Sequence, residues 1–411
     1  MKLLNIIAIL ITLSAVFGFL NSRFIKLPAT IGVMLISMLV SLGVFILGRF
    51  GALGLGIEEH WLTLIRSIDF NRTLMVWMLG YLLFAGALYV DLGEMLHQKW
   101  EILLLATASV LISTFIIGAL LYLVSGWLDL SLKFIHCLLF GALVSPTDPI
   151  AVMEILREAG LSKRLETIIS GESLFNDGIG VVVFVTILSV AATGEQSVSP
   201  INVLLFFAWE VAGGILFGIL VGLAGYRALK SIDDYNVEIL ITLSMVTGGY
   251  ALATAINTSG PITIVVAGLI TGNRGRKFAM SDRTRERLDS FWEFVDQILN
   301  SLLFVLIGLE LLTIQHSWLS IAAGVIAIPV SLIARFVSVG LPFALTAAKK
   351  NLSPQTLTIM TWGGLRGGIA VALAIAVPTQ YGRDIIITMT YIVVVFSILV
   401  QGLTVKNLVR Q

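Results

Sequence analysis

The stretch Leu138–Val152, LLFGALVSPTDPIAV, sets Asp148 between Pro146 and Pro149 inside an otherwise apolar run. Proline lacks an amide hydrogen and its ring collides with the preceding turn, so these two leave carbonyls near 142–145 without helical partners. Unwound backbone survives at membrane depth only where protein buries it or where it lines a cavity. The freed carbonyls, the Thr147 hydroxyl and the Asp148 carboxylate are hard oxygen donors of the kind a small cation takes. A structural kink would not need the charge, because Asn or Ser could satisfy loose amides at lower cost.

The rest of the chain makes lipid the expected solvent. Of its 411 residues, 57% are hydrophobic and only 12% charged, with 38 glycines, which fits an all-α polytopic membrane protein and not a soluble one. A formal net charge of +1, with one short basic loop, gives no basis for nucleic-acid binding. Cys137 is the single cysteine, so no intrachain disulfide forms. His60, His97, His136 and His316 are scattered without ligand spacing, which argues against a metal enzyme. No serine or histidine has a partner placed for nucleophilic catalysis, so an intramembrane hydrolase is disfavoured too. The opening MKLLNIIAILITLSAVFGFL lacks a small-residue cleavage signature and reads as a retained first span.

Polar and Gly/Pro clusters divide the chain into 13 candidate spans: 2–20, 28–48, 72–90, 101–125, 132–156, 165–192, 201–227, 235–256, 261–272, 288–312, 318–346, 355–378 and 384–405. The ninth is short of the roughly 20 residues a simple crossing needs. Alternate loops then carry 18 Lys and Arg on one side and 6 on the other. That bias places the N-terminus outside and the C-terminus in the cytoplasm. Span two opens PATIGVMLIS and span nine PITIVVAGLIT, and the same seven-span offset pairs SPTDP in span five with GGLRGG in span twelve. An odd offset inverts the repeat in the membrane, an arrangement common in secondary transporters.

The ionisable groups assigned near mid-span are Asp148, Glu172, Asp177, Arg335 and Arg366. Each is expensive in hydrocarbon, so each is expected to pair or to function. In span six, GESLFNDGIGVVVF, the i,i+4 spacing places Glu172 above Asn176 and Ser173 above Asp177. Burial and mutual repulsion both work against holding three carboxylates ionised, so a proton and a metal cation compete for them. Such competition is what an exchanger requires. One arginine is expected to neutralise Glu172, leaving Asp148 and Asp177 as the exchangeable pair. Arg366, among the glycines of TWGGLRGGIAVALA, can instead offset partial charges at broken helix ends.

With SPTDPIAV, GESLFNDGIGVVVF, IARFVSVG and GGLRGGIAVALA in that order, the chain resembles the NhaP-type branch of the monovalent cation/proton antiporters over nearly its whole length. The resemblance implies a homodimer, crossed and partly unwound spans five and twelve, and elevator-like movement of a core against a dimer domain. On this chain the core would include 72–192 and 288–405 and the scaffold 1–48 and 201–272, with no soluble domain. It also implies that Asp177 is the essential aspartate, that Asn176, Asp148, Thr147 and Ser173 are its companions at the cation, and that Glu172 and Arg335 form a buried ion pair. Relatives that move net charge have a second aspartate where this chain has Asn176, so the resemblance implies electroneutral exchange of one cation for one proton. No cofactor is implied; the transported ions are a proton and sodium, lithium or potassium. Ala85 stands where some relatives place an acidic ligand, which leaves a potassium/proton antiporter as the alternative. A cation channel built from similar ligands would carry voltage-driven current without proton coupling.

Overall fold

A computed structural model describes residues 3–49, 78–130, 132–193, 199–310, 317–345 and 353–409. The start of span three, the end of span ten, His60, His316 and the loop residues Arg66, Arg72, Lys349 and Lys350 lie outside them. Among the described residues the chain is helical throughout. Its helices are α1 (Leu3–Leu20), α2 (Ala29–Arg49), α3 (Leu79–Leu88), α4 (Leu92–His97) and α5 (Lys99–Trp127). Span five divides into α6 (Phe134–Val144) and α7 (Ile150–Glu158). There follow α8 (Lys163–Thr193), α9 (Pro200–Lys230), α10 (Tyr235–Ala255), α11 (Gly260–Ile270), α12 (Asp282–Glu310) and α13 (Trp318–Leu345). Span twelve divides likewise into α14 (Pro354–Trp362) and α15 (Gly368–Ala376), before α16 (Arg383–Thr404).

Eight of these helices are long and apolar enough to cross a bilayer, whereas the apolar runs within α2, α3 and α6 are shorter. Length alone therefore does not reproduce thirteen spans. Outward faces are apolar: Leu204, Leu205, Trp209, Leu216 and Leu220 stand exposed along α9, as lipid-facing side chains must. One boundary moves. Span ten starts at Asp282, not 288, because Asp282 and the polar run DRTRER form its first turns; an N-terminal acid favours helix there.

The packing carries the inverted repeat. Helix α2 lies against α12, and its seven-span partner α11 lies against α3. On the repeat axis, α5 packs on its own partner α13. Contacts of α8 with α6 and of α16 with α15 form a further matched pair. These contacts separate two groups. Helices α5, α6, α8, α13, α15 and α16 pack on one another, while α12 packs on α1, α2, α3 and α10. The second group encloses an apolar cluster around the fully buried Trp292, which includes Phe84, Ala85 and Leu88.

Candidate functional site

The two helix breaks cross. Residues 145–149 separate α6 from α7, and 363–367 separate α14 from α15. The Asp148 amide donates to the Leu365 carbonyl at 2.8 Å, tying one break to the other. Polar backbone released by the breaks finds partners within the chain, as burial requires. Arg366 donates from Nη1 to the carbonyls of Ser145 (2.8 Å) and Pro146 (3.1 Å). It thereby places positive charge at the C-terminal end of α6, where the helix dipole is negative. Its own amide donates to Ser397 Oγ at 2.9 Å, and Gln401 Nε2 donates to the Trp362 carbonyl at 2.9 Å. Ser397 and Gln401 bound a π-helical turn of α16, which turns both toward the break. Of the carbonyls near 142–145 assigned from sequence as cation donors, that of Ser145 is thus engaged by Arg366, as is the Pro146 carbonyl next to it.

Two glycines permit this crossing. A Cβ on Gly367 would lie 2.3 Å from Asp148 Oδ2, and one on Gly364 would lie 2.8 Å from Arg335 Nε. The run GGLRGG is therefore a fit to two charged side chains as much as a flexible segment.

Helix α8 brings the remaining polar residues. Glu172 receives a bidentate ion pair from Arg335, Nη1 to Oε1 and Nη2 to Oε2, the latter at 3.0 Å. Arg335 Nε also donates to the Met360 carbonyl at 3.2 Å. Both side chains are buried, so the pair resembles a closed unit in which either partner alone would be costly. One turn on, Asn176 Nδ2 donates to Thr147 Oγ1 at 2.9 Å, joining α8 to the break in span five. Ser173 and Asp177 lie on the adjacent stripe and face a cavity of about 540 Å³.

That cavity also borders Asp148 and Pro149. Asp91, Glu94, Arg157, Lys163 and Glu166, at helix ends and loops, surround its other end. Beyond Asp177 the path is filled: Pro146 packs against Gly180, and Ile262 against Gly178. The cavity thus runs from a charged rim to two carboxylates, Asp148 and Asp177, contributed by different elements. Thr147, Asn176 and the Glu172–Arg335 pair lie behind its floor, and Arg366 lies beneath the crossing.

Ala85 is buried in the Trp292 cluster and does not border the cavity; Leu82, Leu83 and Gly86 of α3 do. Sequence reasoning missed two residues of α12. Asn300 borders the cavity, and Asp296, one turn earlier, hydrogen-bonds to Asn300 and stands within electrostatic reach of Asp148. The signal was the i,i+4 spacing in FVDQILN, the same pattern that was read in span six.

The family described as "Sodium/hydrogen exchanger, transmembrane" matches residues 9–411. A Na(+)/H(+) antiporter NhaP from Pseudomonas aeruginosa is 48% identical, covering 100% of this chain and 97% of that one. The Na(+)/H(+) antiporter NhaH of Halobacillus aidingensis is 32% identical with the same coverage. Among solved structures, the sodium proton antiporter MjNhaP1 from Methanocaldococcus jannaschii at pH 8 superposes with a TM-score of 0.77. At 20% identity, over 100% of this chain and 99% of that one, this likeness establishes a shared fold. The chain belongs to the transmembrane sodium/hydrogen exchanger family.

Proposed function

We propose that this protein is an electroneutral sodium/proton antiporter that binds either a sodium ion or a proton at Asp177 and Asp148. The observation that carries this reading is the cavity ending on those two carboxylates while Arg335 and Arg366 are engaged elsewhere, on Glu172 and on backbone carbonyls. Two carboxylates facing one cavity in low dielectric repel each other, and a cation or a proton held between them offsets that repulsion. Ser173 supplies a neutral oxygen at the cavity wall, and Thr147, held by Asn176 behind the floor, is the second neutral oxygen assigned to the cation. Lithium, smaller but of the same charge, is a second substrate. The names of the similar proteins specify sodium, which favours it over potassium.

Asn176 in place of a second aspartate supports exchange of one cation for one proton. Transport proceeds by alternating access, the group containing α5–α8 and α13–α16 moving against a scaffold of α1, α2 and α9–α11. The packing of α3 and α12 supports assigning them to the scaffold rather than to the moving core. The chain acts as a homodimer in the cell membrane, N-terminus outside and C-terminus in the cytoplasm, so the cavity beside Arg157 and Lys163 opens inward. No cofactor takes part.

The test is proton flux in reconstituted vesicles, reported by a pH-sensitive dye on addition of sodium, lithium or potassium. Sodium and lithium should drive flux without net current at zero membrane potential. Flux driven by potassium alone would overturn the sodium assignment, and current without proton movement would indicate a channel.

A further inference from the structure

Asn300 is a buried polar residue, 4% exposed, on the wall of the cavity that ends at Asp148 and Asp177. Its side chain hydrogen-bonds to Asp296, which precedes it by one turn on the same face of α12. A carboxylate accepts, so it engages the amide NH2 and leaves the amide oxygen turned away. That oxygen, Asn300 Oδ1, has no hydrogen-bond partner. Burying an amide acceptor without a partner costs about 1–3 kcal/mol. Packing does not demand an amide here, since its neighbours Leu302 and Leu303 belong to the apolar core and Leu303 fills the space over Gly368 at the start of α15.

Resting on the sodium/proton reading above, we infer that Asn300 is a further cation-contacting residue whose Oδ1 completes the oxygen shell opposite Asp148 and Asp177. The chemistry fits a small hard cation, which takes neutral carbonyl-type oxygens alongside carboxylates. A neutral donor adds a ligand without adding a charge that a proton would have to match. Helix α3 presents Leu82, Leu83 and Gly86 to the cavity, so the oxygen on this side comes from α12. Asp296 acts as a positioning residue: it fixes the amide so that oxygen, and not nitrogen, is presented.

The experiment compares wild type with Asn300→Ala, Asn300→Asp and Asp296→Ala in reconstituted vesicles, using sodium and lithium chloride as probes. Loss of one oxygen ligand in Asn300→Ala should raise the apparent KM for sodium about tenfold with Vmax little changed, and should alter the sodium-to-lithium ratio. Asn300→Asp keeps an acceptor oxygen but loses the NH2 that Asp296 holds, and should raise KM less than Asn300→Ala does. Asp296→Ala releases the amide and should give a smaller rise in KM. Should Asn300→Ala lower Vmax or yield while KM and the ion ratio stay fixed, the residue is structural and the inference fails. Sodium-dependent thermal stabilisation of the purified protein provides a second readout, lost in Asn300→Ala and kept in Asn300→Asp. Absence of cation-driven flux in wild type would sink the antiport reading itself, and Asn300 would then be judged on the thermal readout alone.

Discussion

Glu172 and Asp177 sit on one helix, five residues apart, and have opposite surroundings. Glu172 is clasped at both oxygens by Arg335 and packed away from water. Asp177 faces a cavity of about 540 Å³ together with Asp148. A carboxylate held by a bidentate arginine has its charge offset within the fold, whereas one facing another carboxylate at a cavity can accept a proton or a cation. The same side-chain chemistry thus sits in a closed ion pair at one position and at the proposed exchange site at the other, through the partner that the fold supplies.

Removing charge from the cavity side should have the largest effect. Asp177→Asn is expected to abolish sodium-driven proton flux while the protein still assembles and melts cooperatively; measurable flux would end the contrast. Breaking the closed side should instead cost stability. Glu172→Ala leaves Arg335 buried and uncompensated, an expected loss of about 3–5 kcal/mol, visible as a lowered melting temperature in detergent. The double change Glu172→Leu with Arg335→Met removes both charges and should recover much of that loss. A stable Glu172→Ala protein that has lost transport would give Glu172 a direct role at the ion. Smallest of the three is Gly367→Ala, whose Cβ would lie 2.3 Å from Asp148 Oδ2. It displaces one carboxylate of the candidate site and crowds the crossing, so a fall in flux of about tenfold or more is expected with a drop in melting temperature smaller than that of Glu172→Ala.

Most of the architecture was legible because apolar runs and Gly/Pro interruptions record helices and their breaks directly. Pro146, Pro149 and the glycines of GGLRGG marked both breaks, and the seven-span offset between them anticipated the reciprocal packing of α2 on α12 and α3 on α11. The site was only partly legible. From the residues alone, nothing decides whether Arg335 or Arg366 reaches Glu172, since that depends on how helices distant in sequence face one another; the family resemblance pointed to Arg335. Asn300 escaped because a search for charges passes over amides; Asp296 lies inside span ten and its charge was passed over there. Ala85 stands where some relatives place an acidic ligand, but a helix has two faces, and Ala85 lies in the cluster around Trp292 and not at the cavity.

The crossing of the two breaks has a consequence for the speed of the cycle. Asp148 N–H on Leu365, Arg366 on Ser145 and Pro146, and Ser397 on the Arg366 amide hold it with bonds internal to the chain. The unwound backbone is therefore ordered once, when the protein folds, and an arriving ion need not recruit it. Such preorganisation removes an entropic barrier from every encounter. With the alternating access proposed above, turnover is then expected to follow how fast the helical groups move past each other, a collective motion on the microsecond-to-millisecond scale, and not the assembly of the proposed ion site.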